Sequence, residues 1–522
     1  MNTETPIPRK RSRIAQVLFT IACLATLVAL FYAEEDWRGW HTWRQFKQQC
    51  EARGVTLDLA SVVPPPVPDD QNFAMTPIAF TSYGNILTRD GKVIPSDKRD
   101  PNFVIRMRMR ITGDKDAPKD CYGDRVRGIF TKLEGWQSYY RTLAGKKNEF
   151  PVPAQPQSPA GDVLLALSKY DSALDEVRAA NQLPESRFPM NYDSESPWDI
   201  FLPHLAALKS CSQVLQLRSV AELQDGQAQK ALDDVRLGLQ LTDKVRTEPI
   251  LISHLVRLAM LQIMLQPIWE GLAQHKWSEE QLASLEAQLA TLDFFPGYRL
   301  SLHGELGGNT GGMDYVRRHP AKLEDMFGMG DLNGQKVKLL HPGPLAVHLI
   351  PNGWFYENEY RSARLVADYY LPAADPAGRT FSPGTFRRGQ DLLAAETKTP
   401  DRYNWYETLL VPALGNCVRK FAYGQASADL ARTAVALERY RLAHGELPES
   451  LDVLAPKYIA AVPHDVIGGG PLKYRREANG RFIIYSIGWN ETDDGGTSVF
   501  KEGSTPPLDL DSGDWVWEYP PE

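Results

Sequence analysis

Apolar positions along this chain fall mostly at helical spacing, and the first apolar run differs from all the others. Ile14 to Tyr32 (IAQVLFTIACLATLVALFY) contains no charged residue. At the α-helical rise it spans roughly 28 Å, close to the hydrocarbon thickness of a bilayer. A helix there satisfies its own backbone, as lipid requires. Helical spacing continues through 33–54, where Trp37, Trp40 and Trp43 suit the interfacial belt. Val62–Phe73 (VVPPPVPDDQNF) then has the composition of a stiff spacer, expected to hold the next domain off the membrane.

Phe103–Ile111 (FVIRMRMRI) alternates strictly, with Ile105, Met107, Met109 and Ile111 on one face and Arg106, Arg108 and Arg110 on the other. This predicts a half-buried strand with a solvated or ion-paired arginine row. From about 160 to 292 the period becomes helical. One stripe is Leu205, Leu208, Ser212 and Leu215, and another is Ala228, Ala231, Leu232, Val235, Leu239 and Thr242, of which Ala228 sits at the helix start. Residues 250–269 are apolar nearly all round, as in a centrally buried helix. Ser278 with Gln281 predicts a capping box for a further helix. Residues 297–350, rich in glycine and histidine, read as irregular. A helix is expected to open near Trp354, and a long one to start with Pro412 in its first turn and end at Gly445. Leu472–Arg475 and Arg481–Ile487 predict a hairpin through Asn479-Gly480, with a last strand over Asp514–Glu518.

The chain divides into a basic tail (1–13), a transmembrane helix (14–32), a juxtamembrane helix and Pro-rich spacer (33–73) and a mixed segment with a strand (74–150). A helical domain (151–411) and a long helix with a small α+β head (412–522) follow, and the head's local elements predict independent folding. The fold class is mainly α: a helical bundle or irregular helix-pair array, a C-terminal α+β head and an N-terminal transmembrane helix.

Charge adds direction. Arg9, Lys10, Arg11 and Arg13 against Glu4 give residues 1–32 a net +3, so with −7 overall the remainder carries −10. Glu34, Glu35 and Asp36 follow the apolar run. The positive-inside bias therefore predicts a cytoplasmic N-terminus and an extracytoplasmic bulk. Phe31 and Tyr32 before Ala33 are a poor cleavage site, which disfavours a signal peptide. An acidic body argues against nucleic-acid binding. Cys50, Cys121, Cys211 and Cys417 are too scattered for a zinc ribbon, and spacing does not choose between disulfides and free thiols.

Residues 430–496 carry an ordered series. A long helix ends at Tyr440, followed by His444-Gly445, Leu447-Pro448, Ser450-Leu451-Asp452 and Leu454. Val462-Pro463, Asp465, Tyr474, Tyr485-Ser486-Ile487-Gly488 and Asp493-Asp494-Gly495-Gly496 complete it. This series resembles the C-terminal half of the major pseudopilins of type II secretion. The apolar run lacks a prepilin leader and lies far upstream, and Val466 stands where the family has proline. The resemblance therefore implies a pseudopilin-like head grafted onto a larger anchored protein, not a polymerising subunit. The layout, with the phrase Val67-Pro68-Asp69-Asp70-Gln71-Asn72-Phe73-Ala74, also resembles functionally unassigned single-anchor bacterial envelope proteins.

The pseudopilin resemblance implies a calcium loop, for which this chain offers Asn490, Glu491, Asp493 and Asp494; calcium takes six to eight such oxygens. The alternative is a solvated Asp-Gly turn. There is no His-Glu-x-x-His and no Gly-x-Ser-x-Gly, so no catalytic residues are assigned. Trp354, Phe355, Tyr356, Tyr360, Tyr369 and Tyr370 read as core rather than a glycan-stacking surface. The expected function is tethered protein binding in the bacterial envelope, on the outer face of the inner membrane. The alternatives are an envelope hydrolase with a site assembled around 300–350 and an accessory component of a type II secretion or pilus-like system.

Overall fold

A computed structural model describes residues 13–80, 106–113, 118, 120–144, 150–197, 200–322, 349–399, 401–477, 480–501, 503 and 508–519. The fold is mainly helical. Helix α1 (Arg13–Ala52) runs without interruption from the apolar run into the body. Its most apolar window is wholly unburied by protein. The body is built from α2 (Leu133–Thr142), α3 (Pro159–Leu167), α4 (Asp171–Asn181), α5 (Pro203–Gln224), α6 (Ala228–Thr242), α7 (Leu251–Ala273), α8 (Glu279–Leu289), α9 (Phe295–Arg318), α10 (Asn352–Leu365), α11 (Pro383–Glu396) and α12 (Trp405–His444). Helices α5, α6 and α7 pack on one another, and α12 lies against α7 and α8.

The helical stripes behave as their spacing predicts. Leu205, Leu208, Ser212 and Leu215 are buried, as are Ala231, Leu232, Val235, Leu239 and Thr242. Helix α7 is apolar enough to cross a membrane, yet two-thirds of its most apolar window lies inside the protein. The Ser278–Gln281 capping box opens α8, with both reciprocal hydrogen bonds made. Gly226 (φ +74°) turns α5 into α6, and Gly445 (φ +80°) ends α12.

The strands are few. A two-residue ladder joins β1 (Ala374–Asp375) and β2 (Thr380–Phe381). In the C-terminal region β3 (Lys473–Arg476), β4 (Phe482–Ser486) and β7 (Trp515–Glu518) form an antiparallel sheet in the order β3-β4-β7. A ribbon of β5 (Ser498–Phe500) and β6 (Leu508–Gly513) lies beside it. The β3–β4 hairpin and the last strand stand where expected, although Asn479 lies outside the described residues.

Four expectations are corrected. Arg106–Ile111 is not a strand, and Phe103–Ile105 lie outside the described residues. The alternation is nevertheless real: Met107, Met109 and Ile111 are buried while Arg106, Arg108 and Arg110 are exposed. A turn at Arg106–Met107 and irregular chain laid on the core produce the alternation without a ladder partner. Next, 295–318 is continuous helix rather than irregular chain. Its glycines serve close approach: a Cβ at Gly304 would lie 1.7 Å from the Pro249 carbonyl oxygen, and one at Gly307 2.2 Å from the Leu59 nitrogen. Helix α12 begins at Trp405, not near Pro412, because Asn358 of α10 accepts the Tyr406 amide (3.1 Å) and stabilises the extra turns. The Pro-rich stretch is a strap on the body, not a free spacer. Its ends are pinned by buried Leu57 and Phe73, and Arg187 Nε donates to the Pro64 carbonyl (3.0 Å).

The C-terminal region also shares its core with the helices. Trp269 of α7 donates from Nε1 to the Glu518 carbonyl (2.8 Å), and Trp269, Leu430, Ile484 and Trp517 belong to one continuous apolar core.

Candidate functional site

A polar site is built at the junction where α1 leaves its apolar half and joins the body. Glu35, Gly39, Trp43, Phe46 and Cys50 recur every three or four residues and are buried. This stripe packs on α10. The two backbones nearly touch, since a Cβ on Gly39 would lie 2.3 Å from the Gly353 carbonyl oxygen. Phe46 meets Tyr360 edge to face at 5.3 Å, and Arg53 pairs with Asp368 at 2.7 Å. Trp43 faces the body, while Trp37 and Trp40 remain exposed on the outer face of α1.

Glu35 centres the junction. Its carboxylate accepts from the Tyr403 hydroxyl (2.9 Å), the Arg38 guanidinium (2.6 Å) and the Trp354 indole (3.1 Å). Burial raises its pKa, but the hydrogen bonds from Tyr403, Arg38 and Trp354 outweigh that and hold it below the usual carboxylate range. Asp36 accepts the Gly353 amide (2.8 Å) at the start of α10. The tether is thus bolted to the body by groups more than 300 residues away in sequence.

The four residues of the expected calcium loop are neighbours in sequence with separate attachments. Asn490 Nδ2 donates to Asp494 (2.8 Å), and Glu491, at φ +60°, pairs with Arg387 of α11. Asp493 accepts from the Tyr485 hydroxyl (2.9 Å) and pairs with Lys473 (3.1 Å). The loop is shaped from beneath by Asp514, which accepts the amides of Gly496 (2.7 Å), Asp494 (3.3 Å) and Thr497 (3.3 Å). Asp514 was not legible as part of this loop, because it follows by some twenty residues. Among the described residues, no group of three or more His, Cys, Asp or Glu is arranged to hold a metal.

Two clefts remain. One of about 700 Å³ lies between α4, α5 and α6. Buried Asp234 is held there by Arg178 and by Arg218 (2.9 Å), and Arg218 also pairs with Asp171 (2.7 Å). Burial, then the charge of Asp234, pushes Glu222 up to about 8. Asp233 and Asp234 are adjacent in sequence, but the arginines that reach Asp234 come from α4 and α5 and are not evident from the chain alone.

The second cleft, about 640 Å³, is a groove between α7, α9 and α12 walled by Leu251, Ile252, Leu255, Leu410 and Leu414. Its one lining carboxylate among the described residues is Glu305, which accepts the Leu251 amide (3.3 Å) and is pushed up to about 7 by burial. The 300–350 region thus brings no carboxylates or histidines together here: His303 is buried, His319 is exposed, and 323–348 lie outside the described residues. Of the aromatic set, Phe355 and Tyr370 are buried and Trp354, Tyr356, Tyr360 and Tyr369 are partly buried, as core and junction residues. Cys23, Cys50, Cys121, Cys211 and Cys417 are all free thiols. No family model matches the chain, and neither a curated protein nor a solved structure matches it.

Proposed function

We propose that this chain is a membrane-anchored interaction or scaffold protein of the bacterial envelope, with its N-terminus in the cytoplasm and its body outside. The observation that carries this reading is the single helix Arg13–Ala52, whose Ile14–Tyr32 stretch carries no charge and whose second half is a packed element of the body. A signal sequence has no need of such a bolted continuation. The body then rides on a stiff strut, and its helical surfaces are presented to partners at a fixed height above the bilayer. The groove of α7, α9 and α12, walled by leucines with Glu305, Lys420, Asn309 and Asn416 among its lining, has the mixed apolar and polar character of a protein-binding surface.

The accessory role in a type II secretion or pilus-like system rests on the pseudopilin-like order of residues 430–496. Its residues form a mutually bonded unit. Asp465 accepts from the Ser486 hydroxyl (2.6 Å) and the Ile487 amide (2.9 Å), His444 bonds Tyr458 (3.0 Å), and Tyr474 donates to Pro448 (2.7 Å). In that reading Asn490, Glu491, Asp493 and Asp494 exchange their present partners for calcium. A higher melting temperature of the full chain in calcium than in chelator supports the exchange, and equal temperatures remove it.

The test of the main reading combines two measurements on cells. The intact chain, N-terminus included, stays with membranes through an alkaline wash, and Glu446→Cys, at an exposed position, reacts with a membrane-impermeant maleimide added from outside. Release by the wash, or labelling only after lysis, overturns it.

A further inference from the structure

We infer that the anchor junction is also a phospholipid headgroup site, selective for zwitterionic lipids with a primary ammonium, formed by Arg402 and Asp401 on a shelf of Trp354 and Tyr403. The inference rests on the anchored reading above.

Depth is the first argument. Tyr32 ends the apolar run, so it marks the hydrocarbon edge. Glu35 stands about 4.5 Å further along the helix axis. That is inside a headgroup layer roughly 5–7 Å thick. The Tyr403 hydroxyl and the Trp354 indole both converge on Glu35, which fixes both rings at that level. The guanidinium of Arg402 lies over these rings, 4.8 Å from the Tyr403 centroid and 5.2 Å from that of Trp354. Below it, at the level of Tyr32, sits Leu349, 67% exposed, whose carbonyl accepts the Tyr32 hydroxyl. An exposed apolar side chain at the acyl boundary and a cation one helical turn above it follow the polarity profile of a leaflet.

Charge is the second. Most ionic groups at this level are already engaged: Arg38 with Glu34 and Glu35, and Asp36 with the Gly353 amide. Arg402 and Asp401 are exposed, and among the described residues neither side chain has an ion-pair partner. One cation over the Tyr403 ring and one anion on the Tyr403 amide complement a phosphate and an ammonium, not a net-negative headgroup. Arginine presents a planar fork to phosphate oxygens, and stacking on aromatic faces holds that fork still.

Rigidity is the third. The segment that carries the pair is fixed from within. Asn404 is buried; its Oδ1 accepts the Asp401 amide (2.7 Å) and its Nδ2 donates to the Glu396 carbonyl (2.6 Å). Asn358 Nδ2 donates to the Arg402 carbonyl (2.8 Å), and Asp401 accepts the Tyr403 amide (2.7 Å). A site ordered beforehand loses little entropy on binding.

The experiment uses the full chain in mild detergent with equimolar phosphatidylethanolamine, phosphatidylcholine and phosphatidylglycerol, and counts retained lipids by native mass spectrometry. Phosphatidylethanolamine is expected to exceed the other two. Arg402→Gln lowers its retention about tenfold, the low end of the worth of a hydrogen bond between charged groups. Asp401→Asn keeps the bond to the Tyr403 amide but brings phosphatidylethanolamine down to the phosphatidylcholine level. Both variants should melt as the wild type does, since both side chains are exposed. Enrichment of phosphatidylglycerol, or retention unchanged in Arg402→Gln, overturns the headgroup site while leaving the anchor intact. A chain stripped from membranes by an alkaline wash overturns both.

Discussion

Glu35 shows how much one residue can mean in a fold and how little of that its neighbours reveal. In sequence it is the middle of three acids after an apolar run, and it reads as part of a charge asymmetry. In the fold it is 5% exposed and takes three hydrogen bonds, two of them from Trp354 and Tyr403. Glu35→Gln keeps the shape and loses the charge, and is expected to destabilise the full chain by about 1.5–3 kcal/mol, the range for hydrogen bonds to a charged group. The pH dependence follows from the lowered pKa. The stabilisation is complete above the unfolded carboxylate range and fades as pH falls through the lower folded value. Denaturant unfolding should therefore show the two proteins converging below about pH 4. A constant gap down to acid pH would contradict the assignment. Gly39 and Gly353 teach the same lesson. Each was an ordinary glycine until the other helix arrived, and then no side chain fitted between the backbones.

Elements were legible where their pattern was local. The capping box of α8, the stripes of α5 and α6, the buried α7 and the β3–β4 hairpin all follow from residue spacing, because the forces that make them act within a few residues. Those that misled depended on distant partners. The glycines of α9 carry a helix-propensity cost, but close approach of Pro249 and Leu59 overrides it. Pro412 reads as a first-turn residue, but Asn358 supports two further turns before it.

The same distinction decides the fate of the C-terminal region. Gly424 through Ala431 of α12 are buried without a break, so the helix is enclosed on all sides. A helix apolar or covered all round belongs to a shared core, not to the outside of an independent head. A 405–522 fragment is therefore expected to lack a cooperative thermal transition by circular dichroism, where the local elements alone predicted independent folding. A sharp two-state melt of the fragment would restore that expectation.

At the scale of the whole molecule, the anchor and the mainly helical architecture were the most legible features. A bilayer-length uncharged run and helical periodicity are properties of the chain itself. The site was much less legible. Tyr403, Trp354 and Arg402 gain their significance only because α10 and the segment before α12 fold back onto the first turn after the apolar run. The Pro-rich phrase has the same history: composition suggested reach, whereas Asn72, bonded through its side chain to the Arg187 amide (2.8 Å) and carbonyl (2.9 Å), makes it a clamp. On the anchored reading, the body is held close to the bilayer by a stiff strut, because α1 runs unbroken from the apolar run into the body.

That claim is most directly tested by cysteine-scanning accessibility across residues 24–50 of the full chain reconstituted in bilayers, with a water-soluble maleimide. The account predicts silence through Tyr32. Reactivity should then recur at helical period, present at Trp37, Trp40 and Arg44 and absent at Trp43 and Phe46. Uniform reactivity from Ala33 onward would mean a loose or severed connection and would contradict it.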